Sequence, residues 1–212
     1  KQYLTIGHKT ILEYTLSTLL AHPQIRRIVV ALSPEDTLFS ELSIANDPRI
    51  ETTNGGQERV DSVLAGLNYL DASDQWVLVH DAARPCLQAA DVSSLLNLAK
   101  HGNTGGILAA PVRDTMKRAN IDGQIIKTES RENLWHALTP QFFLVSELKL
   151  AVKQAQKDGV TITDEASAME HVGLPVNVVT GKSSNIKVTQ PEDLLLAEFY
   201  LTQSDNRILN DN

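Results

Sequence analysis

The stretch WVLVHDAARP (Trp76–Pro85) sets the fold of this chain and the position of its functional site. Four apolar residues precede an ionisable pair, His80 and Asp81, and two alanines separate this pair from Arg84. A short apolar run bounded by a turn signal predicts a buried strand. A carboxylate accepts hydrogen bonds from hydroxyls, and a guanidinium matches phosphate. Because ligands of α/β proteins bind beyond the carboxyl ends of strands, Asp81 and Arg84 are candidate site residues.

Strand-like and helix-like segments alternate along most of the chain. Short apolar runs outside the opening stretch are RRIVVALS (Arg26–Ser33), ETTNGG (Glu51–Gly56), GGILAAPV (Gly105–Val112), VNVVTG (Val176–Gly181) and NIKVT (Asn185–Thr189). Helical periodicity marks the segments Ile11–Leu20, Val60–Leu70, Leu144–Lys157 and QPEDLLLAEFYL from Gln190. This alternation predicts an α/β sandwich with a mostly parallel central sheet, as one domain over residues 1–212.

One segment interrupts the alternation. Between about residues 114 and 133, TMKRA and QIIKTES flank NIDG, whose Asp-Gly pair is a hairpin turn signal. The sequence therefore predicts an inserted β-hairpin arm. Such arms often reach a neighbouring subunit, so we expect it to serve dimerisation.

Composition restricts the classes of function. The formal net charge is −7, which provides no global positive field for nucleic acid or an anionic membrane. Cys86 is the only cysteine, which favours a reducing, cytoplasmic location. No apolar run approaches the roughly 18 residues that cross a bilayer. The histidines do not form a zinc pattern, and we assign no metal ligand.

Two further segments contain candidate binding residues. In NGGQERVDSVLAGL (Asn54–Leu67), Gly55 and Gly56 precede a helix and permit close approach of an anion or a base, with Ser62 in an early turn. Arg59 is equally compatible with a solvated helix position. Lys187 lies in an apolar run with Thr189 on the same face, and either binds an anion or is an edge-strand lysine.

Threonines provide the remaining candidates. Thr139 lies in TPQFF, and Thr163 lies in TITDEASAME together with Asp164 and Glu165. Thr163 or Asp164 is equally compatible with a helix N-cap, with the acidic groups facing the helix dipole.

Seven motifs in a fixed order resemble one family, 2-C-methyl-D-erythritol 4-phosphate cytidylyltransferase of the non-mevalonate isoprenoid pathway. They are KQYL (Lys1–Leu4), GGQERVDSVLAGL (Gly55–Leu67), VHDAARP (Val79–Pro85), APVRDTMK (Ala110–Lys117), LWHALTPQ (Leu134–Gln141), TDEA (Thr163–Ala166) and NIKVTQPEDL (Asn185–Leu194). The resemblance spans nearly the whole chain. It implies a Rossmann-like three-layer sandwich, a homodimer whose arms clasp the partner, and Mg²⁺ held mainly by the phosphates of CTP.

The implied reaction is attack by a phosphate oxygen of methylerythritol phosphate on the α-phosphorus of CTP, with release of pyrophosphate. The resemblance assigns three catalytic residues: Lys1 for charge on the triphosphate, Lys187 for the attacking phosphate, and Arg131 for the same phosphate from the partner's arm. Asp81 and Arg84 would bind the methylerythritol part, and Gly55, Gly56 and Ser62 would bind cytosine. The remaining substrate-binding residues implied are Thr115, Thr139, Thr163 and Thr189.

The family also carries a first central strand and a glycine-rich loop with an arginine, directly before the segment that matches KQYL. We expect both to lie upstream of Lys1. Two alternatives remain at this point: a cytidylyltransferase for ribitol 5-phosphate, which shares the Asp-Ala-Ala-Arg-Pro turn, and a non-catalytic dimeric nucleotide-binding module. A dinucleotide-dependent oxidoreductase is disfavoured because no G-x-G-x-x-G follows a strand.

Overall fold

The computed structural model describes residues 1–102 and 104–210, with side chains described as far as residue 203. The strands are β1 (Thr5–Ile6), β2 (Lys9–Thr10), β3 (Ile28–Leu32), β4 (Ile50–Asn54), β5 (Trp76–Val79), β6 (Gly105–Pro111), β7 (Met116–Ala119), β8 (Ile125–Glu129), β9 (Trp135–Leu144) and β10 (Asn177–Thr180). The helices are α1 (Ile11–Ala21), α2 (Arg59–Tyr69), α3 (Ala89–Lys100), α4 (Val145–Lys157), α5 (Glu165–His171) and α6 (Pro191–Asn210).

Four strands form the central sheet in the order β10, β6, β9, β5. β10 runs parallel to β6, whereas β9 is antiparallel to both β6 and β5. β3 and β4 pair in parallel in a sheet of their own. The predicted α/β class is confirmed. The sheet is mixed because of β9, which lies in a segment that the sequence analysis did not assign to a strand.

Apolar clusters cover the two faces of the central sheet. Neighbouring residues of β6 alternate between them: Ile107 and Ala109 belong to the first cluster, Leu108 and Ala110 to the second. The first cluster packs residues of α2, α4 and α5, namely Leu67, Leu148, Val152, Ala166 and Met169. The second packs residues of α1 and α3, namely Leu19, Val92 and Leu95. Each fully buried leucine stabilises the fold by about 1.5–3 kcal/mol, so helices are held on both sides of the sheet.

Local signals explain where the helices begin and end. Thr10 caps α1, and its side chain and that of Glu13 form a reciprocal capping box. Gly159 follows α4 with a φ of 68°, the left-handed conformation that ends many helices.

The predicted hairpin is confirmed. β7 and β8 pair antiparallel, with Met116 opposite Glu129, in a two-stranded sheet separate from the central one. The turn side chain Ile121 is fully exposed, and Ile125 and Ile126 are each 63% exposed. The arm therefore projects away from the apolar clusters of the body.

The strand predicted for Asn185–Thr189 is wrong. This segment forms no strand. Among the described residues, its one backbone-to-backbone hydrogen bond to the turn after β5 runs from the Val188 amide to the Ala83 carbonyl, at 2.8 Å. Val188 is 1% exposed and packs with Ile6 and Cys86. The segment is held by this buried anchor, and the assumed common face of Lys187 and Thr189 does not apply.

Candidate active site

The candidate site lies at the carboxyl end of β5. The chain leaves the strand at Val79 and turns after Asp81, whose carbonyl accepts a hydrogen bond from the Arg84 amide at 3.1 Å. The bond between Val188 and Ala83 brings the segment containing Lys187 against this turn. Two segments distant in sequence thus meet where an α/β fold binds its ligands.

Three cations surround the carboxylate of Asp81, which is 12% exposed. Arg59 Nε donates to Oδ1 at 3.1 Å, and Lys187 Nζ lies 3.0 Å from Oδ2. Arg84 Nε lies 3.5 Å from Oδ2 and has no hydrogen-bond acceptor among the described residues, so its contact is one of charge. The predicted convergence of Asp81, Arg84 and Lys187 is therefore present in the structure.

The electrostatics of this cluster favour an anionic ligand. Burial alone would raise the pKa of Asp81, but Arg59 and Lys187 hold it at about 2. Burial lowers the pKa of Arg84, against the attraction of Asp81. The cluster contains three cations, Arg59, Arg84 and Lys187. The two ionised carboxylates, Asp81 and Glu165, neutralise two of them and leave one positive charge in excess. This excess is the local cationic site that a chain of negative net charge needs to bind phosphate.

Arg59 is held from its other side by Glu165. Its Nη1 and Nη2 donate to Glu165 Oε1 and Oε2 at 2.7 and 3.1 Å, a bidentate pair. Glu165 is 2% exposed, and burial raises its pKa although Arg59 opposes this. The pair raises the pKa of Arg59 in spite of its own burial, so the guanidinium stays charged.

A directional chain of hydrogen bonds fixes the turn after β5. His80 Nε2 lies 3.3 Å from the Arg84 carbonyl, which can only accept, so Nε2 carries the proton. His80 Nδ1 then accepts from the Thr139 hydroxyl at 2.9 Å, and that hydroxyl accepts from the Asp81 amide at 3.1 Å. Burial lowers the pKa of His80 to about 4, so this neutral tautomer persists at neutral pH.

Asn185 connects the turn after β5 to strand β9. It is completely buried, its carbonyl accepts from Arg84 Nη1 at 2.7 Å, and its Nδ2 donates to the Thr139 carbonyl at 2.7 Å. The backbone carbonyl of Asn185 thereby holds the guanidinium of Arg84, and its side-chain amide holds the backbone of β9. This fixes Arg84 relative to Asp81.

Gly55, Gly56 and Ser62 lie together at the start of α2. Ser62 Oγ accepts from the Gly56 amide at 3.1 Å, and the Gly55 amide donates to the Leu32 carbonyl at 2.7 Å. A Cβ at Gly55 would lie 2.8 Å from Ser62 Oγ, and one at Gly56 would collide with Asp61. A side chain at Gly56 would displace the turn, and one at Gly55 would displace Ser62.

Two open depressions lie on the surface. One of about 380 Å³ lies beyond the carboxyl ends of β3 and β4 and includes Leu32, Ser33 and Asn54, next to Gly55. The other, of about 420 Å³, is lined by residues such as Lys9 and Asp47 and contains none of the predicted site residues. The first adjoins the site through Gly55.

Lys1, Thr163 and Thr189 lie at the periphery and are exposed. Thr189 donates through its amide and hydroxyl to Asp193 at 2.8 and 2.9 Å. Backbone hydrogen bonds from this turn lower the pKa of Asp193, and the charge of Lys1 adds to the effect, which places Lys1 beside the start of α6. Thr163 precedes α5, where Asp164 is the N-cap.

Thr115 and Arg131 belong to the arm. Both are exposed, and Arg131 Nη1 donates to the Arg113 carbonyl. Among the contacts of the described residues, none joins either side chain to the Asp81 cluster of the same chain. The role that the resemblance implies for Arg131 therefore requires the arm of another subunit.

Sequence reasoning missed Arg59, Glu165 and Asn185 as members of the site. Arg59 was compatible with a solvated helix residue, and Glu165 with a helix-dipole interaction. One signal was available for Glu165, since it begins a run of small and apolar residues (EASAM) that predicts a buried helix face.

The described residues contain neither a metal-binding cluster nor a membrane-spanning helix. In residues 1–102 and 104–210, no group of three or more His, Cys, Asp or Glu side chains could hold a metal ion. Both oxygens of Asp81 face cations, which makes this carboxylate unsuited to a resident Mg²⁺. Within the same described residues, no helix combines the length and the apolar character needed to span a membrane.

Fold and site together define a class of enzyme. Parallel strands ending at a cationic cluster, with a glycine turn before a helix and no activated nucleophile, are typical of nucleotidyltransferases, which need charge neutralisation and alignment. The family model for 2-C-methyl-D-erythritol 4-phosphate cytidylyltransferase (IspD) matches residues 1–203. The chain belongs to this family, and the resemblance seen in the sequence is confirmed.

Individual relatives agree with the family. A 2-C-methyl-D-erythritol 4-phosphate cytidylyltransferase of Serratia proteamaculans is 58% identical over 207 residues, 97% of this chain and 88% of the relative. A crystal structure of 4-diphosphocytidyl-2C-methyl-D-erythritol synthase superposes with a TM-score of 0.84 at 40% identity, covering 94% of this chain and 93% of the other. The Francisella tularensis cytidylyltransferase gives 0.84 at 34% identity, covering 94% and 92%.

Proposed function

We propose that this chain transfers the cytidylyl group of CTP to 2-C-methyl-D-erythritol 4-phosphate and releases pyrophosphate, as a step of isoprenoid precursor biosynthesis. The observation that carries the proposal is the convergence of Asp81, Arg84 and Lys187 at the carboxyl end of β5, with positive charge in excess. Membership of the family supports the identity of both substrates.

The reaction is an in-line displacement at phosphorus. An oxygen of the acceptor phosphate forms a bond to the α-phosphorus of CTP, and the bond from that phosphorus to the bridging oxygen of the β-phosphate breaks. Pyrophosphate leaves with the electron pair. Such a reaction needs two anions to be held together, because there is little covalent chemistry for the protein to perform.

The cations divide between the two substrates. Lys187 holds the attacking phosphate, with Asp81 fixing its ammonium group, while Arg84 and Asp81 bind the methylerythritol part. Lys1 neutralises charge on the triphosphate. Asp81 is anchored on both oxygens, so this carboxylate acts chiefly by orienting the cations around it.

The cytidine side lies at the start of α2. Gly55 and Gly56 present backbone groups to the cytosine, and Ser62 fixes this turn through the Gly56 amide. Thr163 and Thr189, both exposed near helix starts, contact substrate. The Thr139 hydroxyl already donates to His80 and accepts from the Asp81 amide. Thr139 therefore supports substrate binding indirectly, by fixing the turn after β5.

Mg²⁺ enters with the nucleotide as part of the MgCTP substrate, held mainly by its phosphates. The protein is a homodimer in which Arg131 and Thr115 of each arm complete the partner's site. Exposed Ile121, Ile125 and Ile126 support an arm that is covered in the assembly. A cytoplasmic location is part of the proposal, and the lone buried cysteine supports it.

Pyrophosphate release tests the proposal. The purified protein is incubated with CTP and Mg²⁺ together with either methylerythritol phosphate or ribitol 5-phosphate. We expect release with the first acceptor only. Release only with ribitol 5-phosphate would reassign the acceptor, and CTP binding without turnover with either would indicate a binding module.

A further inference from the structure

Arg59 and the buried Glu165 form an ion pair that the proposed reaction does not use. Glu165 is 2% exposed, and both of its oxygens accept from the guanidinium of Arg59. The third contact of Arg59 leads into the site, from Nε to Asp81 Oδ1 at 3.1 Å. Glu165 is therefore connected to Asp81 through Arg59.

The planarity of the guanidinium makes this arrangement directional. Arg presents its donors in a rigid fork, so fixing Nη1 and Nη2 on Glu165 also fixes the direction in which Nε points. Because Nε occupies Asp81 Oδ1, Oδ2 is left for Lys187, whose ammonium group lies 3.0 Å away. The orientation of the Glu165 carboxylate thus determines which oxygen of Asp81 holds the lysine.

The location of the pair indicates placement for function. Arg59 is the first residue of α2, and a cation is unfavourable at the positive end of a helix dipole. Glu165 is the first residue of α5, where a carboxylate is favourable, but its burial opposes ionisation. The dipole of α2 gains nothing from the arginine, whereas the carboxylate of Asp81 gains a fixed orientation.

We propose that Glu165 and Arg59 are positioning residues for acceptor binding: Glu165 orients Arg59, and Arg59 clamps Asp81 so that Asp81 presents Lys187 to the acceptor phosphate. This inference rests on the proposed function. Neither residue contacts either substrate. Their effect reaches the reaction only through Asp81 and Lys187.

Steady-state kinetics of three single variants test the clamp. Glu165→Gln removes the charge and the bidentate geometry at nearly constant volume, and Arg59→Lys keeps the charge but loses the fork. We expect each to raise KM for methylerythritol phosphate about tenfold or more while KM for CTP stays within about twofold. Glu165→Asp keeps the carboxylate, and we expect it to lie between Glu165→Gln and the unaltered chain.

Asp91→Asn is the matched control. Asp91 is also a buried acid in the first helical turn, in α3, and is 6% exposed, but it lies outside the site. We expect both of its KM values to stay within about twofold. A lower folded fraction reduces the apparent kcat and leaves KM unchanged, so the KM ratio separates positioning from stability.

The double variant Arg59→Lys with Glu165→Gln provides the decisive comparison. If Glu165 acts through Arg59, the double variant raises the acceptor KM no further than the larger single effect. Multiplicative effects, or an unchanged acceptor KM in Glu165→Gln, overturn the clamp. Failure of the unaltered protein to release pyrophosphate overturns the proposed function instead, so the two failures are distinguishable.

Discussion

The ammonium group of Lys187 lies 3.0 Å from Oδ2 of Asp81, in a segment joined to the turn after β5 by a single backbone hydrogen bond. An ammonium group has three donors. One is directed to Asp81, which leaves two for an incoming phosphate. The ion pair therefore aims the lysine without consuming its capacity to bind the acceptor.

Replacement of Lys187 by Ala removes the cation that we propose for the attacking phosphate. We expect kcat to fall by about 10²–10³-fold, the typical effect of losing one donor that stabilises transition-state charge. Asp81 keeps Arg59 and Arg84 as neighbours, so we expect the fold to persist. Lys153→Ala, on the exposed face of α4, is the control and should leave kcat unchanged. Equal activity of the two variants in the pyrophosphate assay would contradict the role of Lys187.

The proposed action of the arm across a dimer predicts complementation between two inactive variants. Lys187→Ala lacks a residue of the body, and Arg131→Ala lacks one of the arm. In a mixed dimer one site contains both defects and the other contains neither. Random mixing should restore about one quarter of the unaltered activity. The two variants are mixed, unfolded and refolded together, and the formation of heterodimers is confirmed. If activity is not recovered in that mixture, Arg131 does not act on the partner.

The turn before α2 should not tolerate a side chain. A Cβ at Gly56 would collide with Asp61, so Gly56→Ala must displace the turn. We expect a loss of about 1–3 kcal/mol in the free energy of unfolding and a rise in KM for CTP, with KM for the acceptor little changed. Gly66→Ala is the control, since a Cβ there meets nothing within 4 Å. Gly66→Ala should leave KM for CTP unchanged and stabilise α2 by about 0.5–1 kcal/mol. If the two variants have the same KM for CTP, the prediction is wrong.

Buried His80 makes stability depend on pH. Its pKa is about 4 in the folded chain, against 6.5 for an ordinary histidine, chiefly because of burial. As the pH falls from 6.5 towards 4, His80 is protonated in the unfolded chain but stays neutral in the folded chain. The free energy of unfolding therefore decreases in this window. At about 1.4 kcal/mol per pKa unit, the loss is roughly 3 kcal/mol.

Denaturant unfolding at pH 7, 6 and 5 checks this prediction, with His80→Gln as the comparison. The raised pKa values of Glu165 and Asp91 act in the opposite direction in both proteins, so the difference between the two isolates His80. The variant should lose less stability between pH 7 and pH 5. Parallel pH profiles would exclude a neutral buried histidine as the cause.

The sequence was sufficient to predict the parts of the site that depend on local pattern. The apolar run before Asp81 identified a strand and its carboxyl end, and the Asp-Gly turn identified the arm. Both inferences use short-range rules of strand and turn formation. The α/β class follows from the same rules.

Long-range contacts limited the sequence analysis. β9 contains Pro140, which weakens its strand signal, and its pairing with β5 and β6 makes it a strand. Lys187 was expected on a strand, but its segment is fixed by the buried Val188 and not by a ladder. The pairing of Arg59 with Glu165 joins two helix starts, and no local pattern reports such a pair.

The first two turns of α2 carry groups from both of the proposed substrate sites. Ser62 steadies the glycine turn proposed for cytosine, and Arg59, one turn earlier, donates to Asp81 on the proposed acceptor side. A helix moves as a rigid unit over such a distance, so a displacement of Ser62 also displaces Arg59. If nucleotide binding draws the helix inward and thereby strengthens the affinity for the polyol phosphate, thermodynamic linkage requires the polyol phosphate to strengthen nucleotide affinity by the same factor.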